Sequence, residues 1–175
     1  MGLSFKIPRI ETERLVLRAW RLSDLDALAD FMGDEKLSRY RGGAVELSKA
    51  KSSMAAFNGD WSLHGYGGLA VATQQSTDVP IGMTGLYHPP EFSEPELFYS
   101  LFKGAHGNGF AVEMCHAVIR WVATSRASLG PLMSMIHPDN APSRAVSERI
   151  GATLEAEVTW RGMPRLRYRH HAGAR

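Results

Sequence analysis

Lys103-Gly104-Ala105-His106-Gly107-Asn108-Gly109-Phe110-Ala111 follows an apolar run, Leu97-Phe98-Tyr99-Ser100-Leu101-Phe102, and leads into a stretch of clear helical periodicity. A strand that empties into a glycine-rich loop and then a helix makes an anion site. Glycines let successive N–H groups converge, and the helix N-terminus adds partial positive charge. A phosphate or pyrophosphate suits such a loop. The same glycines also serve a plain tight turn, and a glycine motif standing alone does not separate the two.

Working outward, Phe110, Met114, Val118 and Val122 recur every four residues and predict a helix to about Arg126, with Glu113, His116 and Arg120 on another side. Glu113 in its first turn complements the helix dipole, and Cys115 reads as a packed core thiol. Upstream, residues 14–20 read as a strand. Ser23 caps a helix with Leu22, Leu25, Leu28 and Phe31 on its apolar side, and Gly42-Gly43 breaks the chain. A second helix runs from about Ser48 to about His64, with Met54, Phe57 and Trp61 on one face. Strands follow at Leu69–Thr73 and Ile81–Tyr87, with a turn at Asp78-Val79-Pro80 between them, and at Glu96–Phe102. Downstream come a strand at Leu132–Ile136 and a helix opened by Asp139-Asn140 and closed by Gly151. Strands at Thr153–Trp160 and Leu166–Arg169 finish the chain, joined by Arg161-Gly162-Met163-Pro164. With no repeat or linker, residues 1–175 read as one mixed α/β domain.

The bulk numbers agree. A chain of 175 residues with 44% hydrophobic content buries one sizeable core, and a net charge of +2 gives no reason to expect nucleic acid. Arg161, Arg165, Arg167, Arg169 and Arg175 cluster late, as alternation along a surface strand would place them, and Asp24, Asp26, Asp30, Asp34 and Glu35 cluster early. One cysteine forms no internal disulfide. No apolar run is long enough to span a membrane, and Met1–Lys6 lacks the apolar core of a signal peptide, so a soluble cytoplasmic protein with no membrane partner is expected. The seven histidines come with no paired cysteines and no His-Glu-x-x-His, so no metal is expected; His170-His171 reads as a surface tail.

The element order, with the loop, resembles the GNAT superfamily of acyl-CoA-dependent N-acetyltransferases, from Ile10 to Arg169. Glu11-Thr12-Glu13-Arg14-Leu15-Val16-Leu17-Arg18 is similar to the opening of its RimJ/RimL branch. Gly107-Asn108-Gly109-Phe110-Ala111-Val112-Glu113 is similar to the branch's loop signature. His137-Pro138-Asp139-Asn140-Ala141-Pro142-Ser143-Arg144, with Glu148-Arg149-Ile150-Gly151-Ala152, is similar to its Asn-x-x-Ser helix. The resemblance implies an α/β (α+β) fold: a mixed, mostly antiparallel central sheet with a splayed strand pair, flanked by helices. The chain departs from the pattern at Gly104, where Gln or Arg is usual, and at His106, where the branch has Trp. Ser147 stands where many members carry Tyr, which leaves the general acid open.

Acetyl-CoA is the co-substrate the resemblance implies, with an amine acceptor, small or peptide, in a monomer or homodimer. His106, Gly107, Asn108, Gly109, Phe110 and Ala111 would hold the diphosphate. Ser100, Leu101 and Phe102 would offer main-chain groups to the pantetheine arm beside the splay. Asn140 would reach the same arm or simply cap its helix. Glu96 is the first candidate base, or else a solvated strand-end glutamate; His88 is the second. Ser143 is the candidate proton donor to the departing thiolate, with Ser147 one turn on; either could instead be a small packing residue. Arg144 would reach the phosphates or solvent. No activated Cys or Ser–His pair is visible, so direct attack on the thioester is expected. A CoA-binding sensor that has lost turnover is the alternative. A nucleotide site of another kind lacks the Gly-Lys-Ser/Thr ending. The acceptor itself, whether a protein N-terminus, amino sugar, polyamine or antibiotic, depends on segments around Arg39–Glu46 and Arg161–Pro164. Trp61, Tyr66, Tyr87 and Trp160 line its pocket or pack the core.

Overall fold

The computed structural model describes residues 6–171. Eight strands form one sheet in the order β1-β2-β3-β4-β5-β6-β8-β7. These are β1 (Ile10–Glu11), β2 (Leu15–Arg18), β3 (Gly68–Thr73), β4 (Ser76–Tyr87), β5 (Glu96–Leu101), β6 (Leu132–Ile136), β7 (Thr153–Trp160) and β8 (Met163–His170). Every pairing is antiparallel except β5 with β6, which is parallel. The helices are α1 (Leu25–Gly33), α2 (Glu35–Ser38), α3 (Leu47–His64), α4 (Phe110–Ser125) and α5 (Ala141–Arg149). The mixed, mostly antiparallel sheet expected from the sequence is the sheet observed.

Its two faces carry different cores. On one, α4 packs Met114, Cys115, Val118 and Val122 against Leu15, Leu69, Leu97 and Leu101. On the other, Leu28 and Phe31 of α1 and Met54 of α3 pack against Trp20, Ala70, Met83 and Phe102. Strand alternation makes this division: along β5 the odd residues face α4 and the even ones face α1. Burial pushes the Cys115 thiol up from its ordinary range, as expected of a packed, unreactive sulfur.

Three local expectations are corrected. Asp78-Val79-Pro80 is no turn. The chain reverses at Gln74-Gln75, and β4 starts at Ser76; irregular register around Ala72, opposite Pro80, lets the sheet accept a proline without an N–H. Ser23 caps nothing: a 3-10 turn at Leu22–Asp24 precedes α1, and Leu22 is 74% exposed instead of packed. Among the early acids, Asp24 is buried and grips Arg18 with both oxygens at 2.7 and 2.9 Å. His170 is no tail residue, being buried at the end of β8. The late arginines are partly as expected: Arg167 and Arg169 pair with Glu94 and Glu155, but Arg165 is buried. Met1–Phe5 and Arg175 lie outside the described residues.

The Arg18–Asp24 pair joins the end of β2 to the start of α1. Arg18 also donates to the Thr77 and Ala19 carbonyls, and Asp24 accepts from the Arg21 amide, so both charges are well satisfied. Removing one partner strands the other in the interior. Asp24→Ala is therefore expected to cost about 3–5 kcal/mol in urea-monitored unfolding, whereas Arg21→Ala, whose partner Asp78 is exposed, costs under about 1 kcal/mol.

Candidate active site

Strands β5 and β6 pair at one position, Glu96 opposite Met133, and then separate. Met133 donates its amide to the Pro95 carbonyl at 3.0 Å. A regular parallel ladder would next join the Met135 amide to the Leu97 carbonyl. Side chains take both groups instead. The Met135 amide donates to Glu96 Oε1 at 3.3 Å, and Ser134 Oγ donates to the Leu97 carbonyl at 2.6 Å. Past this fork lies a cleft of 610 Å³, lined by Glu96, Tyr99, Ser100, Leu101, Ser134, Asn140 and Ser143 and by the glycine loop at His106, Gly107 and Gly109.

The main chain of β5 sorts the predicted contacts. The Phe102 amide donates to the Ile81 carbonyl at 2.8 Å, and the Phe102 carbonyl accepts from Ala105. By alternation, Ser100 and Phe98 also turn their main-chain groups toward β4, while Tyr99 and Leu101 turn theirs toward the gap. Of the expected trio Ser100, Leu101 and Phe102, only Leu101 offers main-chain groups to the cleft. Ser100 lines it otherwise, and Phe102 is buried against Phe31, ring centroids 4.7 Å apart. Tyr99, which the sequence reading missed, turns its main-chain groups to the cleft as well.

The loop is an array of amides. From His106 to Val112, no main-chain N–H donates to a protein group among the described residues. Gly107 and Gly109 hold φ of +84° and +75°, which L side chains adopt only with strain. Asn108 and Phe110 do not line the cleft. Asn108 folds its amide onto the Ala105 and His106 carbonyls, and Phe110 lies under the Arg14 guanidinium, 4.8 Å from the ring centroid. Arg14 anchors the whole loop. It donates to the Asn108 carbonyl at 2.9 Å and meets Glu113 at 2.6 Å, and Glu113 also accepts from Thr12 Oγ1 and the Arg14 amide. Burial raises the Glu113 carboxyl, but these donors outweigh it and hold it below the usual range. The expected dipole role for Glu113 leaves out this larger one.

On the far wall, Asn140 Oδ1 accepts from the Ser143 amide at 3.3 Å, so it caps α5 and lines the cleft as well. The Ser143 hydroxyl lines the cleft with no partner among the described residues. Ser147 is buried, its hydroxyl 2.9 Å from Tyr99 OH, which donates in turn to the Ser143 carbonyl at 2.7 Å. Burial pushes the Tyr99 phenol up, so it stays protonated. Arg144 turns to the Pro138 carbonyl, away from the cleft.

Glu96 is partly exposed at the fork. Burial pushes its carboxyl up to about 7, against the pull of the Met135 amide and of Arg165 and Arg161. A carboxylate tuned there exchanges protons readily at neutral pH. His88 lies outside the cleft, with both ring nitrogens occupied by Tyr66 OH and the Phe92 carbonyl. Trp61, Tyr66, Tyr87 and Trp160 are also absent from its walls; Trp61 and Tyr66 are core. Of the two segments expected to shape the acceptor side, Arg39, Tyr40 and Arg41 reach the cleft and the Arg161–Pro164 turn does not.

A Ser–His pair, unseen in the sequence, stands at the fork. Ser134 Oγ is 2.8 Å from His170 Nε2. The polarity is wrong for a nucleophile: the serine proton is committed to the Leu97 carbonyl, so His170 must be the donor through Nε2. Its Nδ1 is buried without a partner among the described residues. Burial, with help from His171, lowers the His170 pKa to about 4, and the ring is neutral.

The model of the GNAT acetyltransferase domain family matches residues 14–153. An uncharacterized N-acetyltransferase, p20, from Bacillus licheniformis is 30% identical over 135 residues, 75% of each protein. The crystal structure of an acetyltransferase from Agrobacterium tumefaciens superposes with a TM-score of 0.85 at 34% identity, covering 98% of both chains. RimL, a ribosomal-protein α-N-acetyltransferase, shares the fold with a TM-score of 0.78 at 18% identity, over 94% of each chain.

His170 has a folded pKa below its unfolded value of about 6.5. The unfolded chain therefore binds the extra proton first, and stability falls as pH drops from about 6.5 to about 4. Urea midpoints measured across that window should decline less in His170→Gln than in the parent, with up to about 3 kcal/mol at stake.

Proposed function

The chain belongs to the GNAT acetyltransferase family, and from that premise we propose that it transfers an acetyl group from acetyl-CoA to a primary amine by direct attack on the thioester. One observation carries the reading: the unpartnered amides from His106 to Val112 open onto a cleft that continues past the β5–β6 fork. A diphosphate fits that array, which needs acceptors, tolerates close approach at the glycines and lies at a helix N-terminus. The neighbouring edge of β5, at Tyr99 and Leu101, suits the amide-bearing arm of CoA. Asn140 faces it from the other wall.

The residues then divide the work. Glu96 takes the proton of the incoming ammonium, directly or through a water. A base near pH 7 is matched to an α-amino group of pKa about 8. The main-chain amides of Tyr99 and Leu101 are the donors available to the developing oxyanion. Ser143 donates to the departing sulfur. The buried Ser134–His170 pair supports direct attack, because its serine proton points away from the histidine.

Ser147 in place of the family's frequent Tyr favours one second reading, a CoA-binding protein with weak turnover. Calorimetric titration with CoA, followed by thiol release across a panel of amines and peptides, separates the two. Heat with CoA and thiol release with at least one amine are expected; heat without release favours the sensor, and no heat overturns both. Gly109→Val should weaken CoA binding about tenfold or more, and the left-handed φ there should also cost about 1–2 kcal/mol of stability in urea-monitored unfolding.

The pH profile tests the base. With an amine of known pKa, kcat/KM should rise through an inflection near 7 in addition to the amine's own. Glu96→Gln keeps an acceptor for the Met135 amide, and it should lose that inflection and about 10²-fold in rate.

A further inference from the structure

The cleft has a second half that the CoA reading leaves unused. Even-numbered residues of β5 face α1, and there the walls are Phe31 and the segment from Lys36 to Arg41. The charge is one-sided. Lys36, Arg39 and Arg41 line this half, and Glu96 is the one carboxylate among the described lining residues. None of the three cations forms an ion pair among the described residues. Of the acids beside them, Asp34 caps the Leu37 amide and is attracted to Lys36, and Glu35 is exposed; neither lines the cleft.

The cations are also held in place. The Arg41 guanidinium lies 4.1 Å from the Phe31 ring centroid and donates to Ser38 Oγ at 3.0 Å. Arg39 lies 4.5 Å from the Tyr40 ring centroid. Tyr40 itself stacks on His137 at 5.1 Å and donates to the Asp139 carbonyl at 3.0 Å, which pins the segment across the cleft to the loop before α5. Guanidinium groups seated on rings still present their N–H edges to a ligand. Like charges gathered on a wall with no ion-pair partner repel one another, and an anion relieves that cost on binding.

We infer that the amine acceptor carries an anionic group, a carboxylate or phosphate, bound by Lys36, Arg39 and Arg41 while its amine faces Glu96. The inference rests on the acetyl-transfer reading above, because that reading makes this half the acceptor side. A polycationic acceptor, such as a polyamine, meets the wrong sign of charge here.

The test uses two matched pairs of amines: the peptide Ala-Asp-Asp-amide against Ala-Asn-Asn-amide, and glucosamine 6-phosphate against glucosamine. Binding to the CoA-loaded protein is measured by calorimetry, and thiol release from acetyl-CoA is followed in parallel. In at least one pair the anionic member should bind about tenfold more tightly than its neutral partner. Which pair responds distinguishes a carboxylate from a phosphate. Arg39→Gln and Lys36→Gln, both exposed positions, should erase that ratio and leave the affinity for CoA unchanged. Equal binding within both pairs, or preference for the neutral members, overturns the inference. So does a selective loss of CoA affinity in the two variants, which would assign the cations to the CoA phosphates. Absence of thiol release from every amine counts against acetyl transfer, while the binding ratios still decide the charge of the acceptor.

Discussion

The parting of β5 from β6 is the constraint on which the site depends. Two strands in register gain by zipping to their ends, so a fork needs something to stop the ladder. Here Glu96 takes the Met135 amide and Ser134 takes the Leu97 carbonyl, the two groups that the next rung would have joined. Each main-chain group stays satisfied, so the opening costs little. The same wedge places the Glu96 carboxylate at the mouth of the gap. Its burial there lifts its pKa toward neutrality. A structural device and the proposed proton acceptor are thus one side chain.

The glycine loop is organised from a distance. Its amides from His106 onward have no protein partner among the described residues, so its shape comes from elsewhere. Arg14, just before β2, grips the Asn108 carbonyl, covers the Phe110 ring and closes on Glu113 in the first turn of α4. Glu113 returns the contact through Thr12 and the Arg14 amide. An anion site at a helix N-terminus is useful only if its donors are prearranged, because ordering them at binding would consume affinity. Segments 11–18 and 107–113 stand out in the sequence as separate family-like stretches, and in the fold they form one clamp.

Periodicity made the helices and most strands legible, and the glycine spacing marked the loop. What the sequence concealed depended on pairing across long separations. Nothing local says that Asp24 is buried, because its partner Arg18 lies on the preceding strand. The proline at position 80 reads as a turn until the irregular register opposite it is known. Ser100 and Phe102 looked equivalent to Leu101 on the strand, but which edge a main-chain group faces is fixed by register with β4. His170 reads as tail because two histidines near a terminus look solvated, yet the β6–β8 register places it beside Ser134. The candidate base and the serine on α5 were readable because they sit at element ends that the family resemblance marks.

The two faces of β5 also separate the two protons of the proposed reaction. Glu96 shares a face with Phe98, whose packing is with α1 and α3, so it meets the ammonium on the acceptor side. Ser143 belongs to α5 on the opposite wall, beside Tyr99 and the CoA half of the cleft. Deprotonation of the amine and protonation of the thiolate then occur at opposite ends of one attack trajectory, with no proton carried across the reacting carbon. Tyr99 fits this division. Its hydroxyl is bonded to both the Ser143 carbonyl and the Ser147 hydroxyl, which fixes the start of α5 against β5 with Ser143 at the cleft wall. Ser147, at the position where many family members carry a tyrosine, meets a tyrosine from the strand instead, and the proposed donor is the serine whose amide bonds the helix cap at Asn140.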